Sequence, residues 1–165
     1  MHRYKAWNGP MPTTAAQAKV AVANGVKTML QLSTPSTRQI QLIAWGYSID
    51  TATAGVIELM QTDVAATVTA HVAAGVQPLD PNAPASLLTL GTANTGYTAS
   101  AEGTTTASRV FDVQEVAASS PPNLSYSYQW IPSERPVIAV SKFVRVRTTF
   151  AATTSSLVTW IVWDE

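Results

Sequence analysis

The chain has no cysteine and few charged residues, and each shortage excludes a class of site. Without cysteine there can be no disulfide and no thiolate metal site. Charged residues make up 12% of the 165 positions, about half the usual share for a soluble domain. The ten basic residues balance the ten acidic ones, so the chain lacks the positive surface that binds a phosphate backbone or an anionic membrane. We therefore expect no nucleic-acid partner and no membrane partner.

Long apolar runs are also missing. No run approaches the roughly 18 to 20 apolar residues of a membrane span. The N-terminal stretch "MHRYKAWNGPMP" has no apolar segment of the kind found in signal peptides, and two prolines interrupt it. We expect a soluble protein that is made in the cytoplasm and has a length suited to one domain.

Titratable residues are too few and too dispersed to predict catalysis. In "TVTAHV", Val68, Ala70 and Val72 are expected on the inner side of a strand, so His71 is predicted to be an exposed surface residue. The sequence has no glycine-rich phosphate loop, no nucleophile elbow and no calcium-loop spacing. A glycosidase pair among the scattered carboxylates has no support. We predict no enzyme, no cofactor, and no catalytic or metal-binding residue.

What the sequence does contain is short runs of Thr, Val and aromatic residues, separated by Gly, Pro, Asn and Ser. This pattern is typical of antiparallel β-structure. It predicts an all-β fold, a two-sheet antiparallel sandwich of the jelly-roll type with an extended N-terminal arm. Strands are expected near 19–23, 26–33, 38–49, 55–61, 67–72, 108–116, 125–131, 137–150 and 155–163.

Residues 1–25 are predicted to be an arm or hairpin outside a sandwich domain of residues 26–165. Tyr4 and Trp7 lie beside basic residues and before two prolines, which is typical of an extended segment that becomes ordered on a partner. The stretch "VAVANGVKTM" is compatible with the end of a helix or with two strands around an Asn-Gly turn. The alternation of Val with small residues favours the hairpin.

Three further patterns concern one loop and two strands. The segment 75–108 is rich in Pro, Gly, Asn and Thr and is predicted to be a long surface loop. In "QIQLIAWGYSID" the apolar alternation changes phase, which indicates a bulge, and Gly46 is the candidate. Tyr126, Tyr128 and Trp130 share one side of a strand, where they form either a core stripe or an aromatic platform for a ligand.

The C-terminal stretch "KFVRVRTTFAATTSSLVTWIVWDE" is predicted to be a hairpin with Phe150 opposite Ser155. Val144, Val146 and Ile161 are then assigned to the inner side of this strand pair. Phe143, Arg145, Trp160 and Val162 are assigned to the outer side, with Arg145 against Trp160. An Arg stacked on Trp suits a protein interface, where both residue types are enriched. The predicted interface residues of the whole chain are Tyr4, Trp7, Phe143, Arg145, Trp160 and Val162.

The order of three stretches resembles a known family. "VKTMLQLSTPSTRQIQLIAWGYSID", "GVIELMQTD" and, after the long loop, "YQWIPSERPVIAVSKFVRVRTTFAATTSSLVTWIVWDE" are similar to capsid decoration (cement) proteins of tailed bacteriophages, which have jelly-roll-like folds. The resemblance covers most of residues 26–165. It implies a non-enzymatic virion protein that binds the major capsid protein on the outside of the head and stabilises the shell.

The resemblance further implies a homo-oligomer, most often a trimer, that is located on the capsid surface. Two alternatives remain open at this point. A tail-associated virion protein would have the same composition and fold. A carbohydrate-binding module would stack sugars on Tyr126, Tyr128 and Trp130, and would require those rings to be exposed.

Overall fold

The computed structural model describes residues 2–51, 53–104, 106–118 and 124–165, and this part of the chain is all-β, as predicted. Two single-turn 3₁₀ helices, Ala73–Gly75 and Pro132–Glu134, interrupt the strands. The strands are β1 Arg3–Trp7, β2 Val20–Ala21, β3 Gly25–Ser33, β4 Ile40–Ile49, β5 Gly55–Thr62, β6 Thr67–Ala70, β7 Gln77–Pro78, β8 Gly96–Ala101, β9 Ala107–Val116, β10 Leu124–Gln129, β11 Val137–Ile138, β12 Phe143–Phe150 and β13 Ser156–Asp164.

The strands form two antiparallel sheets, which confirms the predicted sandwich. The first sheet has seven strands in the order β10-β4-β13-β1-β7, with β11 also paired to β4 and β2 to β13. The second layer contains two groups of three strands, β12-β5-β9 and β3-β8-β6. Within this layer β3 lies beside β12, and the Thr148 hydroxyl donates to the carbonyl of Lys27.

The core lies between the layers and follows from the two-residue period of the strands. Alternate residues of β13 are fully buried on its inner side, among them Leu157, Ile161 and Trp163. Val144 and Val146 of β12 are fully buried as well. The predicted inner positions Val144, Val146 and Ile161 are therefore confirmed.

The predicted C-terminal hairpin is wrong. β12 pairs with β5 in one layer, whereas β13 pairs with β4 and β1 in the other. The connection 151–155 therefore crosses from sheet to sheet. The apolar alternation shows which side of a strand is buried, but it carries no information about which strand is the hydrogen-bonded partner.

The N-terminal residues belong to the sheet. Arg3–Trp7 pairs with β13 along its whole length, and the side chains of Tyr4 and Ala6 are buried. The predicted Asn-Gly hairpin is also wrong, because Val20–Ala21 pairs with β13. Gly25, whose φ is +96°, begins β3, and there the chain enters the other layer.

Two other predictions need correction. The segment 75–108 contains β7 and β8, so it is more than a surface loop. β7 has only two residues and β8 is mostly small and polar, so neither gave an apolar alternation. The bulge in β4 lies at Ile43, since Val162 pairs with Ala44 and Trp163 with Leu42. This extra residue accounts for the phase change that the sequence showed, and Gly46 has a different role.

Asn8 continues the pairing of β1 with β13 through its side chain. Its Nδ2 donates to the carbonyl of Leu157 at 3.1 Å, and its Oδ1 accepts from the amide of Thr159 at 2.9 Å.

We expect Asn8→Ala to reduce the free energy of unfolding by about 2 to 4 kcal/mol, because two buried backbone groups lose their partners. Urea unfolding measures the change. The exposed Asn82→Ala is the matched control and should unfold like the wild type; equal stability of the two variants would contradict the role of Asn8.

Candidate functional site

The outer face of the seven-stranded sheet gathers three of the six predicted interface residues. Trp7 lies directly opposite Trp160 on the neighbouring strand, and both rings are partly exposed. Val162 lies on the same side of β13, two residues from Trp160, and packs with Ile43. The pairing of β1 with β13 brings Trp7 to Trp160 and Val162, which lie more than 150 positions further along the sequence.

Lys5 completes this group and was not among the predicted residues. Its Nζ lies 4.1 Å from the ring centroid of Trp7 and 4.4 Å from that of Trp160. Cation–π attraction holds the ammonium group over both indoles, and partial burial lowers the pKa of Lys5. The signal in the sequence was the two-residue spacing of Lys5 and Trp7, which places both on one side of a strand. We call Lys5, Trp7, Trp160 and Val162 the tryptophan surface.

Gly46 lets the indole of Trp160 lie against the sheet. A Cβ atom at Gly46 would come within 2.7 Å of the Trp160 ring and 2.5 Å of the carbonyl oxygen of Tyr126. A groove of about 320 Å³ runs beside Trp7 and Trp160, where β10, β4 and β13 are neighbours. Its other lining residues include the exposed Ser48, Ser125 and Ser127. The tryptophan surface is therefore bordered by a groove that has indole rings on one side and small polar side chains on the other.

The other three predicted interface residues lie elsewhere. Tyr4 is in the core, where its ring stacks on Trp163 at 6.0 Å and its hydroxyl donates to the carbonyl of Pro84 at 3.0 Å. Phe143 is partly buried on β12, in the opposite layer. Arg145 lies on β12 as well and is fully buried, so the predicted stacking of Arg145 on Trp160 is wrong. Alternation placed Phe143 and Arg145 relative to their own strand but not relative to other strands, whereas Tyr4 was expected in an extended arm.

Arg145 forms a buried ionic cluster beneath two chain segments that cover β12. It donates to the carbonyl oxygens of Val64 and Glu102, the latter at 3.2 Å, and its Nη1 lies 3.7 Å from a Glu102 carboxylate oxygen. That carboxylate also accepts from the Thr28 hydroxyl at 2.6 Å. The cluster thereby connects β12, β3 and the end of β8, and it is structural.

The aromatic stripe on β10 does not form an exposed platform. Trp130 is buried, and the hydroxyl of Tyr126 donates to Asp112 at 2.6 Å. The Trp45 indole donates to the same carboxylate at 3.0 Å, and only Tyr128 of the stripe is exposed. The rings near Asp112 therefore belong to the packing between β4, β9 and β10, and the condition for sugar stacking on this stripe is not met.

His71 is buried, which corrects the predicted exposed position. Its Nε2 lies 2.9 Å from the carbonyl oxygen of Trp7, and its ring centroid is 4.8 Å from that of Tyr97. Burial lowers the pKa of His71 below the ordinary value, and the Trp7 carbonyl opposes this shift. The contact links β6 to the end of β1, so His71 supports the strand that carries Lys5 and Trp7.

Within the described ranges, no group of three or more His, Cys, Asp or Glu side chains is arranged to hold a metal ion. In the same part of the chain, no helix has both the length and the apolar character needed to cross a membrane. Comparison with known proteins found no matching family model, no significantly similar curated protein and no significantly similar solved structure. The resemblance to phage decoration proteins therefore remains a prediction.

Replacement of Arg145 tests the buried cluster. We expect Arg145→Ala to reduce the free energy of unfolding by about 3 to 5 kcal/mol, because the Glu102 carboxylate and the Val64 carbonyl lose their cation. The control is Lys142→Ala, which breaks the exposed Lys142–Asp63 pair and should cost at most about 1 kcal/mol. Urea unfolding midpoints compare the two variants; similar small losses would contradict a structural role for Arg145.

The buried His71 predicts a dependence of stability on pH. Because its pKa is lowered in the folded state, the unfolded chain binds the proton first as the pH falls below about 6.5. The contribution of neutral His71 to the free energy of unfolding is fully present above about pH 6.5. It is lost as the pH falls toward the pKa of His71 in the folded state. We expect His71→Gln to flatten the stability curve below about pH 6.5, as measured by urea unfolding. A wild-type curve that is already flat in this range would contradict the prediction.

Proposed function

We propose that the protein is a non-enzymatic structural protein of a bacteriophage virion, which binds the shell of major capsid protein as a homo-oligomer and stabilises it. The observation that carries this proposal is the tryptophan surface. Two partly exposed indoles, a cation and a valine lie together on the face of a rigid sheet. Aromatic residues of this kind are enriched in the centres of protein interfaces.

The composition supports the same proposal. A surface with few charges and many Thr, Ser and Ala residues has a small free-energy cost of desolvation. Such a surface suits a protein that is covered by neighbours in a particle. A sheet face also changes little on binding, since its side chains project from paired strands. Residues 3–7 contribute to this surface as a preformed strand, so their ordering does not depend on a partner.

The tail-associated alternative uses the same surface and differs only in the place of the protein in the particle. Cryo-electron microscopy of the phage that encodes the chain separates the two. Density for the sandwich on the outside of the head supports decoration. Density on the tail alone would contradict the decoration proposal and leave the virion assignment in place.

Trp160→Ser tests the surface itself. We expect the variant to fold and to lose at least tenfold in affinity for heads stripped of this protein, measured by co-sedimentation, because a central aromatic contact is worth about 2 kcal/mol or more. Trp163→Ser on the inner side of the same strand is the contrasting variant. It should lose about 3 to 5 kcal/mol of stability, because its indole is fully buried.

Val26→Ser, at an exposed position on β3, is the control for a change of surface apolarity and should bind like the wild type. Unchanged binding by Trp160→Ser would contradict the proposed use of the tryptophan surface. Hydrolase or transferase turnover by the purified protein that a carboxylate or His71 substitution abolishes would contradict the non-enzymatic proposal.

A further inference from the structure

A second apolar surface lies on the outer side of β9. Val110 and Val113 are 52% and 49% exposed, and Glu115 beside them is exposed as well. They share one side because Phe111 is an extra residue in the strand: Leu59 pairs with Asp112, and Met60 pairs with Val110. We call Val110, Val113 and Glu115 the β9 surface.

β9 is also an edge strand. Among the described residues it pairs only with β5, and no backbone hydrogen bond to its other side is found there. An edge strand of this length with exposed valines is a site where another chain can bind, unless charges or bulges prevent it. The bulge at Phe111 disfavours simple strand addition, so contact through the side chains of the β9 surface is the more favourable mode.

The tryptophan surface and the β9 surface have complementary charges. Within the described part of the chain, no carboxylate lies within ion-pair distance of Lys5, and no cation lies within that distance of Glu115. Arg3, on the same side of β1 as the partly buried Lys5, adds an exposed positive charge. Each surface is therefore an apolar patch with one sign of uncompensated charge.

The two surfaces lie toward opposite sides of the sandwich. β9 contacts the β10 side of the first sheet, since Asp112 accepts from Tyr126 on β10 and from Trp45 on β4. In that sheet β10 is at one end of the strand order, and β13 and β1 lie beyond β4. One molecule can therefore present both surfaces to two different neighbours.

We propose that the tryptophan surface of one copy binds the β9 surface of a second copy, with Lys5 against Glu115 and the indoles against Val110 and Val113. The inference rests on the proposed function in assigning the tryptophan surface to a contact with another protein. It takes that protein to be a neighbouring copy in the oligomer that binds the shell, so Trp160→Ser loses affinity for heads because the oligomer dissociates. Because the two patches differ, the contact is heterologous, and it forms a ring when the rotation between successive copies closes. A two-fold contact of the tryptophan surface with itself would instead bring two Lys5 side chains together.

The absence of cysteine allows a direct test in the full chain. Lys5→Cys and Glu115→Cys are prepared as separate single variants and oxidised alone and as a mixture. We expect a disulfide-linked dimer in the mixture and little or none in either variant alone. Equal cross-linking of Lys5→Cys alone, or no cross-linking in the mixture, would overturn the proposed contact.

A charge exchange gives a second, independent measurement. Lys5→Glu and Glu115→Lys should each shift the protein from oligomer toward the 17.5 kDa monomer in analytical ultracentrifugation, and the double variant should restore the oligomer. Far-UV circular dichroism checks that each variant folds. Val110→Asp, at an exposed position that needs no repacking, should dissociate the oligomer even if Lys5→Glu fails to fold. A monomeric wild type, or a double variant that stays monomeric, would exclude the contact.

Binding to stripped heads distinguishes this inference from the proposed function. An oligomer that cross-links through Lys5 and Glu115 positions but does not bind heads supports the inference and contradicts the capsid assignment. A protein that binds heads but forms no mixed cross-link supports the capsid assignment and overturns the inference.

Discussion

The fold depends on the last strand, β13, being hydrogen-bonded on both sides. β4 pairs with it on one side, and β1 and β2 pair with it on the other. Its inner side chains, including Ile161 and Trp163, are fully buried in the core. A central strand with one side in the core can still present large apolar residues on its other side, and this is where Trp160 and Val162 lie. The candidate site is thus the uncovered side of the most central strand.

Several buried polar groups hold the segments that flank this strand. Asn8 extends the β1–β13 pairing, and His71 holds the carbonyl of Trp7 from the opposite layer. In the second layer, Arg145 holds the segments at Val64 and Glu102 against β12. In a chain with so few charges, the buried Arg and His are therefore used for structure. Lys5, Arg3 and Glu115 lie on or beside the two apolar surfaces without an ion-pair partner among the described residues, so they are available for contacts with other molecules.

The tryptophan surface joins residues from the two ends of the sequence, and this explains why only part of it could be predicted. Trp160 and Val162 were predicted from the alternation of the last strand, and Trp7 from its place in an extended segment before two prolines. Lys5 was overlooked because its role depends on the ring of Trp160, which only the pairing of β1 with β13 brings close. Arg145 was placed at an interface because a strand's alternation does not show whether another segment covers it. Tyr4 was placed there because residues 1–25 were expected to form an arm outside the sandwich.

The sequence by itself determined the all-β class, the position of most strands and the inner side of β12 and β13, because side-chain alternation and turn residues are local properties. The tertiary structure alone decided that β12 and β13 lie in different sheets, that residues 3–7 form a strand of the first sheet, and that Arg145 and His71 are buried. These outcomes depend on contacts between distant segments. The free energy of such contacts comes from burial against a partner strand, and no local pattern encodes the identity of that partner.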